Sequence, residues 1–187
     1  VVPDTDGVPD TDVVPDTDGV PDTDVDTEDG FPVYTPVEPV ERFVRITFED
    51  RAVVSYLPED PEGVLFVFHG TGGDASVAES TEMVAVLNAM IAEGIGFVAV
   101  SAADQPRGVF DDAASPASNE DWQHTVALRE QLLAEERITA STPVHALGYS
   151  GGGGFASYVG HAGLAAGWPM GGLDIMHSGA QSRKYGG

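Results

Sequence analysis

The chain has no cysteine, little positive charge and no long apolar run, and each absence excludes a class of function. Its 187 residues contain no Cys, which excludes disulfide scaffolds, thiolate metal sites and cysteine nucleophiles. Only 8 Lys and Arg stand against 31 Asp and Glu, so the formal charge is −23. This balance argues against nucleic acids and anionic membrane surfaces as partners. No run of about 18 apolar residues occurs, so we expect no membrane span.

Much of the acidity lies in a repeat at the start of the chain. Residues 1–30 contain eleven of the acidic residues and no Lys or Arg, and residues 2–25 are four copies of Val-Pro-Asp-Thr-Asp followed by Gly or Val. A charged unit of this kind, with one Pro in every six residues, cannot bury an apolar face. We therefore predict a disordered acidic tail over residues 1–30 and a Pro-rich linker over residues 31–40.

The repeat is similar to bacterial calcium-binding repeats of the thrombospondin type and to the acidic stalks of secreted or surface lipoproteins. It does not fit an EF-hand loop. With Gly7 at the sixth position, Val2 and Val13 occupy the first and twelfth positions, where ligands are required. We expect a spacer without metal, and weak calcium binding by the clustered Asp residues is the alternative. The likeness to stalks, and a start at Val1 without an initiator Met, favour a processed, extracytoplasmic protein.

Apolar runs and helix-like stripes alternate along residues 41–187, which we predict to form an α/β domain. Residues 64–68 are a continuous apolar run, typical of a parallel strand that is buried on both faces. Strands that alternate with crossover helices predict a three-layer α/β/α sandwich with a mostly parallel sheet. The predicted strands are 42–48, 52–57, 64–68, 96–101, 143–148 and 173–177, and the predicted helices are 76–92, 120–137 and 151–165.

A serine between glycines indicates a reaction class. Ser150 lies in the motif G-x-S-x-G, residues 148–152, which follows a strand-like run and precedes a small-residue helix. A serine at the tip of such a strand–turn–helix has strained dihedral angles, and the glycines allow neighbouring backbone to approach it. The context predicts a nucleophilic serine and acyl transfer through a serine ester.

A second glycine-rich segment, residues 69–73 with the sequence HGTGG, follows the predicted strand 64–68. In an open α/β sheet the site lies beyond the carboxyl ends of the strands, so we expect this segment to meet the elbow there. Attack by Ser150 on an acyl carbonyl forms an oxyanion, which needs preorganised N–H donors. We predict that Gly151 and Thr71 supply these donors. The supporting residues of the turn are His69, Gly70 and Gly72.

These two segments together resemble the α/β-hydrolase superfamily, because H-G-T-G-G ends one strand and G-Y-S-G-G ends another about 75 residues later. Within the superfamily, the stretch from Asp121 to His161 is similar to the esterases related to polyhydroxybutyrate depolymerase and feruloyl esterase. The resemblance covers roughly residues 40–180. It implies that Ser150 is the nucleophile and that small-molecule or polymeric carboxylic esters are the substrates. No cofactor is expected.

The resemblance does not place the acid and the base of the triad. Hydrolases of this fold present Ser, then Asp or Glu, then His along the chain. Beyond the elbow helix the acid in this chain is Asp174 and the last histidine is His177, and both belong to the final predicted strand. The remaining histidines are His69 in the oxyanion turn, His124 on a surface helix, His145 in a buried strand and His161 near the end of the elbow helix.

We therefore expect a C-terminally truncated serine hydrolase. The parent protein is expected to hydrolyse carboxylic esters, and this chain to have little or no activity, because a serine hydroxyl without its base stays protonated at neutral pH. The alternative is a non-catalytic surface or binding module, in which a degenerate hydrolase domain is carried on an acidic, calcium-responsive stalk.

Overall fold

The computed structural model describes residues 37–176, and in this part of the chain six strands form one sheet. The predicted tail, most of the linker and His177 lie outside these residues. The strands are β1 (Val44–Phe48), β2 (Arg51–Tyr56), β3 (Gly63–Phe68), β4 (Ile95–Val100), β5 (Val144–Tyr149) and β6 (Met170–Met176). Their order in the sheet is β1-β2-β4-β3-β5-β6. The helices are α1 (Thr81–Ala92), α2 (Glu120–Ala134) and α3 (Gly152–Ala165).

Strand directions confirm the predicted mostly parallel sheet. Strand β3 pairs in parallel with β4 and β5, and β5 pairs in parallel with β6, whereas β1 and β2 join the sheet in antiparallel fashion. All six residues of β3 are buried, because β3 is a central strand with packed side chains on both faces.

Each face of the sheet has its own core, which confirms the three layers. On one face, side chains of α2 and α3 such as Trp122 and Phe155 pack with Phe66 and Phe68 of β3. On the other face, side chains of α1 such as Leu87 pack with the alternate β3 residues. The period of two along a strand thus divides β3 between the two cores. No helix within residues 37–176 is both long and apolar enough to cross a membrane.

The predicted helix 76–92 is divided into two. A 3₁₀ turn, Ala75–Glu79, precedes α1, and Ser80 lies between them. The Ser80 hydroxyl accepts a hydrogen bond from the Met83 N–H at 3.3 Å, so it is the N-cap of α1. The apolar stripe runs through both pieces, which is why the periodicity alone predicted a continuous helix.

A two-residue turn of Glu49 and Asp50 joins β1 to β2, since Phe48 is paired with Arg51. Both turn residues have positive φ, 47° and 63°. A turn of this length matches the right-handed twist of the two strands only when both residues adopt left-handed dihedral angles.

We predict that Asp50→Gly raises the free energy of unfolding by about 0.5–1 kcal/mol, because glycine adopts the left-handed region without strain. Asp50→Val should lower it by at least about 1 kcal/mol, since a β-branched residue is least tolerated there. Urea unfolding at neutral pH measures both. A shift of the two variants in the same direction would contradict the role assigned to this turn.

Candidate active site

Ser150 is held in a strained conformation between β5 and α3. Its φ is 49°, in the left-handed region that a residue with a side chain rarely adopts. Such strain persists only where the surrounding structure enforces it, and it is concentrated at functional sites. The predicted strand–turn–helix around Ser150 is present, with β5 ending at Tyr149 and α3 beginning at Gly152.

Two glycines of the elbow lie where no side chain fits. A Cβ atom on Gly152 would stand 2.5 Å from the His69 carbonyl oxygen and would also collide with that of Phe68. A Cβ atom on Gly148 would stand 2.5 Å from the Gly153 Cα. All of these neighbours are backbone atoms, which cannot rotate away. Gly152 therefore allows α3 to approach the end of β3, and Gly148 allows the first turn of α3 to approach β5.

The segment that follows β3, residues 69–73, is called the oxyanion turn after its predicted role, and it lies against the elbow. A Cβ atom on Gly70 would lie 3.1 Å from the Ser150 Cβ. A Cβ atom on Gly151 would lie 3.1 Å from the Thr71 nitrogen and would collide with the Thr71 hydroxyl. Within residues 37–176, neither the Thr71 N–H nor the Gly151 N–H has a hydrogen-bond acceptor. Two free donors thus lie beside Ser150.

His69 supports the oxyanion turn from beneath. Its side chain is 1% exposed. The Ala102 N–H donates to its Nε2 at 3.1 Å, and its Nδ1 lies 2.8 Å from the Gly70 carbonyl oxygen, to which it donates. Burial lowers the pKa of His69 from its ordinary value of 6.5, which favours the neutral ring that this pair of hydrogen bonds requires. With both nitrogens engaged, His69 has no atom free to serve Ser150 as a base.

A loop of residues 103–111 flanks the oxyanion turn. The Gly72 N–H donates to the carbonyls of Arg107, at 3.0 Å, and Gly108, at 3.1 Å. Phe110 packs its ring 4.6 Å from His69 and 4.9 Å from Phe155 of α3, measured between centroids. The loop borders an open cleft of about 480 Å³. The carboxylates on the wall of this cleft are Asp104, Asp111, Asp112, Glu120 and Asp121.

The described histidines do not complete a triad, since none of the four hydrogen-bonds to Ser150. His145 is the second residue of β5, at the opposite end of the strand from the elbow. His161 is exposed on α3, with its Nδ1 2.8 Å from the Ser157 carbonyl oxygen. Asp174 lies within β6, where its backbone is paired with Leu147. Residues 37–176 thus bring together the predicted nucleophile and the predicted oxyanion donors without an acid–base pair.

The prediction that His124 lies on the surface of a helix is wrong, because only 2% of the residue is exposed. Its Nδ1 lies 3.3 Å from Glu49 Oε2 in the β1–β2 turn, and Phe48 packs against its ring. Burial, and then the nearby Arg51, lower its pKa. The apolar stripe of α2 gave no sign of this, since the turn that covers His124 is 75 residues away in the chain.

Asp121, on the wall of the cleft, is buried, and no sequence motif predicted its burial. Its carboxylate is paired with Arg51 at 2.9 Å and is almost fully buried. An acid in the first turn of a helix is ordinarily explained by the helix dipole, so the helix start gives no sign of burial. The one sequence signal is Asn119, a residue type that often caps helices. Its side chain accepts from the Trp122 N–H, so it marks the start of α2 and places Asp121 in the first turn.

Comparison with known proteins identifies the fold. No family model and no curated protein sequence matches the chain. A candidate esterase from Staphylococcus aureus matches over 74% of this chain and 44% of its own, with 17% identity and a TM-score of 0.50. An acetyl xylan esterase from Aspergillus awamori matches over 74% of this chain and 52% of its own, with 10% identity and a TM-score of 0.53. The chain has the α/β-hydrolase fold and spans about half the length of these structures.

We predict that Gly152→Ala lowers the free energy of unfolding by about 1–3 kcal/mol, because the added methyl must displace backbone of β3. Gly160→Ala is the matched control in the same helix, since the atom nearest to its added Cβ is 3.9 Å away. It should raise stability by about 0.5–1 kcal/mol through helix propensity. Thermal or urea unfolding separates the two. Equal effects would show that α3 and β3 are not in close contact.

We predict that acid destabilises the protein partly through His69. The unfolded chain takes up protons near pH 6.5, while burial keeps the folded-state pKa of His69 lower, so stability is full above pH 6.5 and is lost as the pH falls below it. His69→Gln removes the titrating group, and it should lose less stability than the wild type between pH 7.5 and 5.5. Urea unfolding at the two pH values measures this. His124 and His145, whose pKa values burial also lowers, account for the slope that remains.

Proposed function

We propose that the protein is a serine hydrolase that acts on carboxylic esters through Ser150. The observation that carries this proposal is the strained serine beside two unoccupied N–H groups, those of Thr71 and Gly151. A strained residue alone has several explanations, but an acyl-transfer site requires a nucleophile beside N–H donors that are free to bind an oxyanion. The names of the matched structures, which include an acetyl xylan esterase, agree with ester substrates.

In the proposed reaction, the Ser150 hydroxyl oxygen attacks the ester carbonyl while a base takes its proton. The negative charge moves to the carbonyl oxygen, which accepts hydrogen bonds from the Thr71 and Gly151 N–H groups. The carbon–oxygen bond to the alcohol breaks, the alcohol leaves with a proton, and an acyl-enzyme remains on Ser150. Water then attacks the acyl-enzyme by the same route and releases the acid. These steps use no cofactor.

The base in this scheme is proposed to lie outside residues 37–176. His69 is neutral with both ring nitrogens engaged, and His145 and His161 lie away from the elbow. The donors alone would stabilise the oxyanion, so a protein without the base is expected to retain only a small residual rate. The alternative of a non-catalytic binding module makes the opposite prediction for the whole protein, namely no turnover at all.

We predict that Ser150→Ala reduces hydrolysis of p-nitrophenyl acetate by the full-length protein by at least about 10³-fold, because the nucleophile is lost. It should also abolish covalent labelling by a fluorophosphonate probe. Ser157→Ala, in the same helix, is the matched control and should leave both unchanged. If the wild-type protein neither hydrolyses the ester nor takes up the probe, the hydrolase proposal is wrong and the binding-module alternative gains support.

A further inference from the structure

We propose that Asp121 is a positioning residue, which holds the oxyanion turn in place through the 103–111 loop. Asp121 lies in the first turn of α2 and is 3% exposed. It acts on the turn indirectly: Asp121 is hydrogen-bonded to the loop, and the loop is hydrogen-bonded to the turn. The inference rests on the proposed function, because the position of the turn affects chemistry only if Ser150 is the nucleophile.

The Asp121 carboxylate binds both ends of the loop. Its Oδ1 accepts from the Ala103 N–H at 2.6 Å, and its Oδ2 accepts from the Asp111 N–H at 2.9 Å. Asn119 adds a third hydrogen bond, because its Nδ2 donates to the Asp111 carbonyl oxygen at 2.6 Å. The start and the end of the loop are therefore joined through one side chain on a rigid helix.

The loop in turn holds the oxyanion turn by backbone contact. The carbonyls of Arg107 and Gly108, in the middle of the loop, both accept from the Gly72 N–H. Gly108 has a φ of 55°, and a Cβ atom there would lie 2.6 Å from the Gly73 carbonyl oxygen. Because the two backbones are hydrogen-bonded and leave no room for a side chain between them, a displacement of the loop moves the residues on either side of Gly72. The Thr71 N–H, one of the proposed oxyanion donors, is one residue away.

A carboxylate is the group that this position requires. Within residues 37–176, every partner of the Asp121 carboxylate is a donor, namely two backbone N–H groups and the Arg51 guanidinium, whose Nη1 lies 2.9 Å from Oδ1. An ionised carboxylate accepts at both oxygens, and its hydrogen bonds are strengthened by the charge. An amide in its place would turn one NH₂ group toward an N–H donor. Asparagine therefore has the right shape but cannot accept all three hydrogen bonds.

Hydrogen exchange on the full 187-residue chain tests the link directly. In Asp121→Asn the Gly72 amide should exchange at least about tenfold faster than in the wild type, while amides of the central strand, such as that of Phe66, keep their protection. Glu120→Gln is the matched control, because it removes the neighbouring carboxylate of the same helical turn, and it should leave Gly72 unchanged. Unchanged exchange at Gly72 in Asp121→Asn would overturn the proposal.

Loss of one partner leaves Arg51 without its counter-ion, which can itself destabilise a fold. If Asp121→Asn does not fold, the double variant Arg51→Met/Asp121→Asn, which removes both charges, is measured in its place. Faster exchange at Gly72 is again expected, and unchanged exchange would again overturn the proposal.

The catalytic consequence is measured separately on the full-length enzyme. Asp121→Asn should lower kcat for p-nitrophenyl acetate by at least about tenfold and change KM by less than about threefold, because misplaced oxyanion donors affect the transition state more than the bound ester. A normal kcat would overturn the inference and leave the hydrolase proposal intact. A wild-type protein without activity would refute the hydrolase proposal, and the exchange experiment would still decide whether Asp121 holds the turn.

Discussion

Backbone contact between the end of β3 and the elbow after β5 is the constraint on which the candidate site depends. The two strands are paired neighbours, with Phe68 opposite Gly148, so the segments that leave them must run side by side. Glycine at 152 lets them touch, glycine at 148 lets the start of α3 lie against the end of β5, and Ser150 between them has a positive φ. A strained residue of this kind costs about 1–3 kcal/mol, which the packing of the surrounding elements must offset.

Two buried polar side chains, His69 and Asp121, hold the oxyanion turn and the 103–111 loop in place. The donors and acceptors of each side chain match those of its partners. His69 must accept at one nitrogen and donate at the other, which a neutral imidazole does. Asp121 faces donors alone, which an ionised carboxylate satisfies. The hydrogen bonds of His69 thus require one donor and one acceptor nitrogen, whereas those of Asp121 require acceptors only.

Most elements of the fold could be predicted from the sequence, because their signals are local. The apolar run that became β3 and the glycine-bounded serine each need only a few adjacent residues to be recognised. The prediction was wrong where a cap or a distant contact intervened. Ser80 divides the helix expected over 76–92, and the β1–β2 turn buries His124, which was predicted on a surface helix.

By itself, the sequence determined the order of strands and helices, the elbow serine and the glycine-rich turn that faces it. Only the tertiary structure decided which distant residues meet. It buries Asp121 against Ala103, 18 positions away, and against Arg51, 70 positions away, and it leaves Ser150 without a histidine partner among residues 37–176. The reason is physical: spacing along the chain sets local dihedral angles and periodicity, whereas contacts between distant segments follow from the strand order of the sheet.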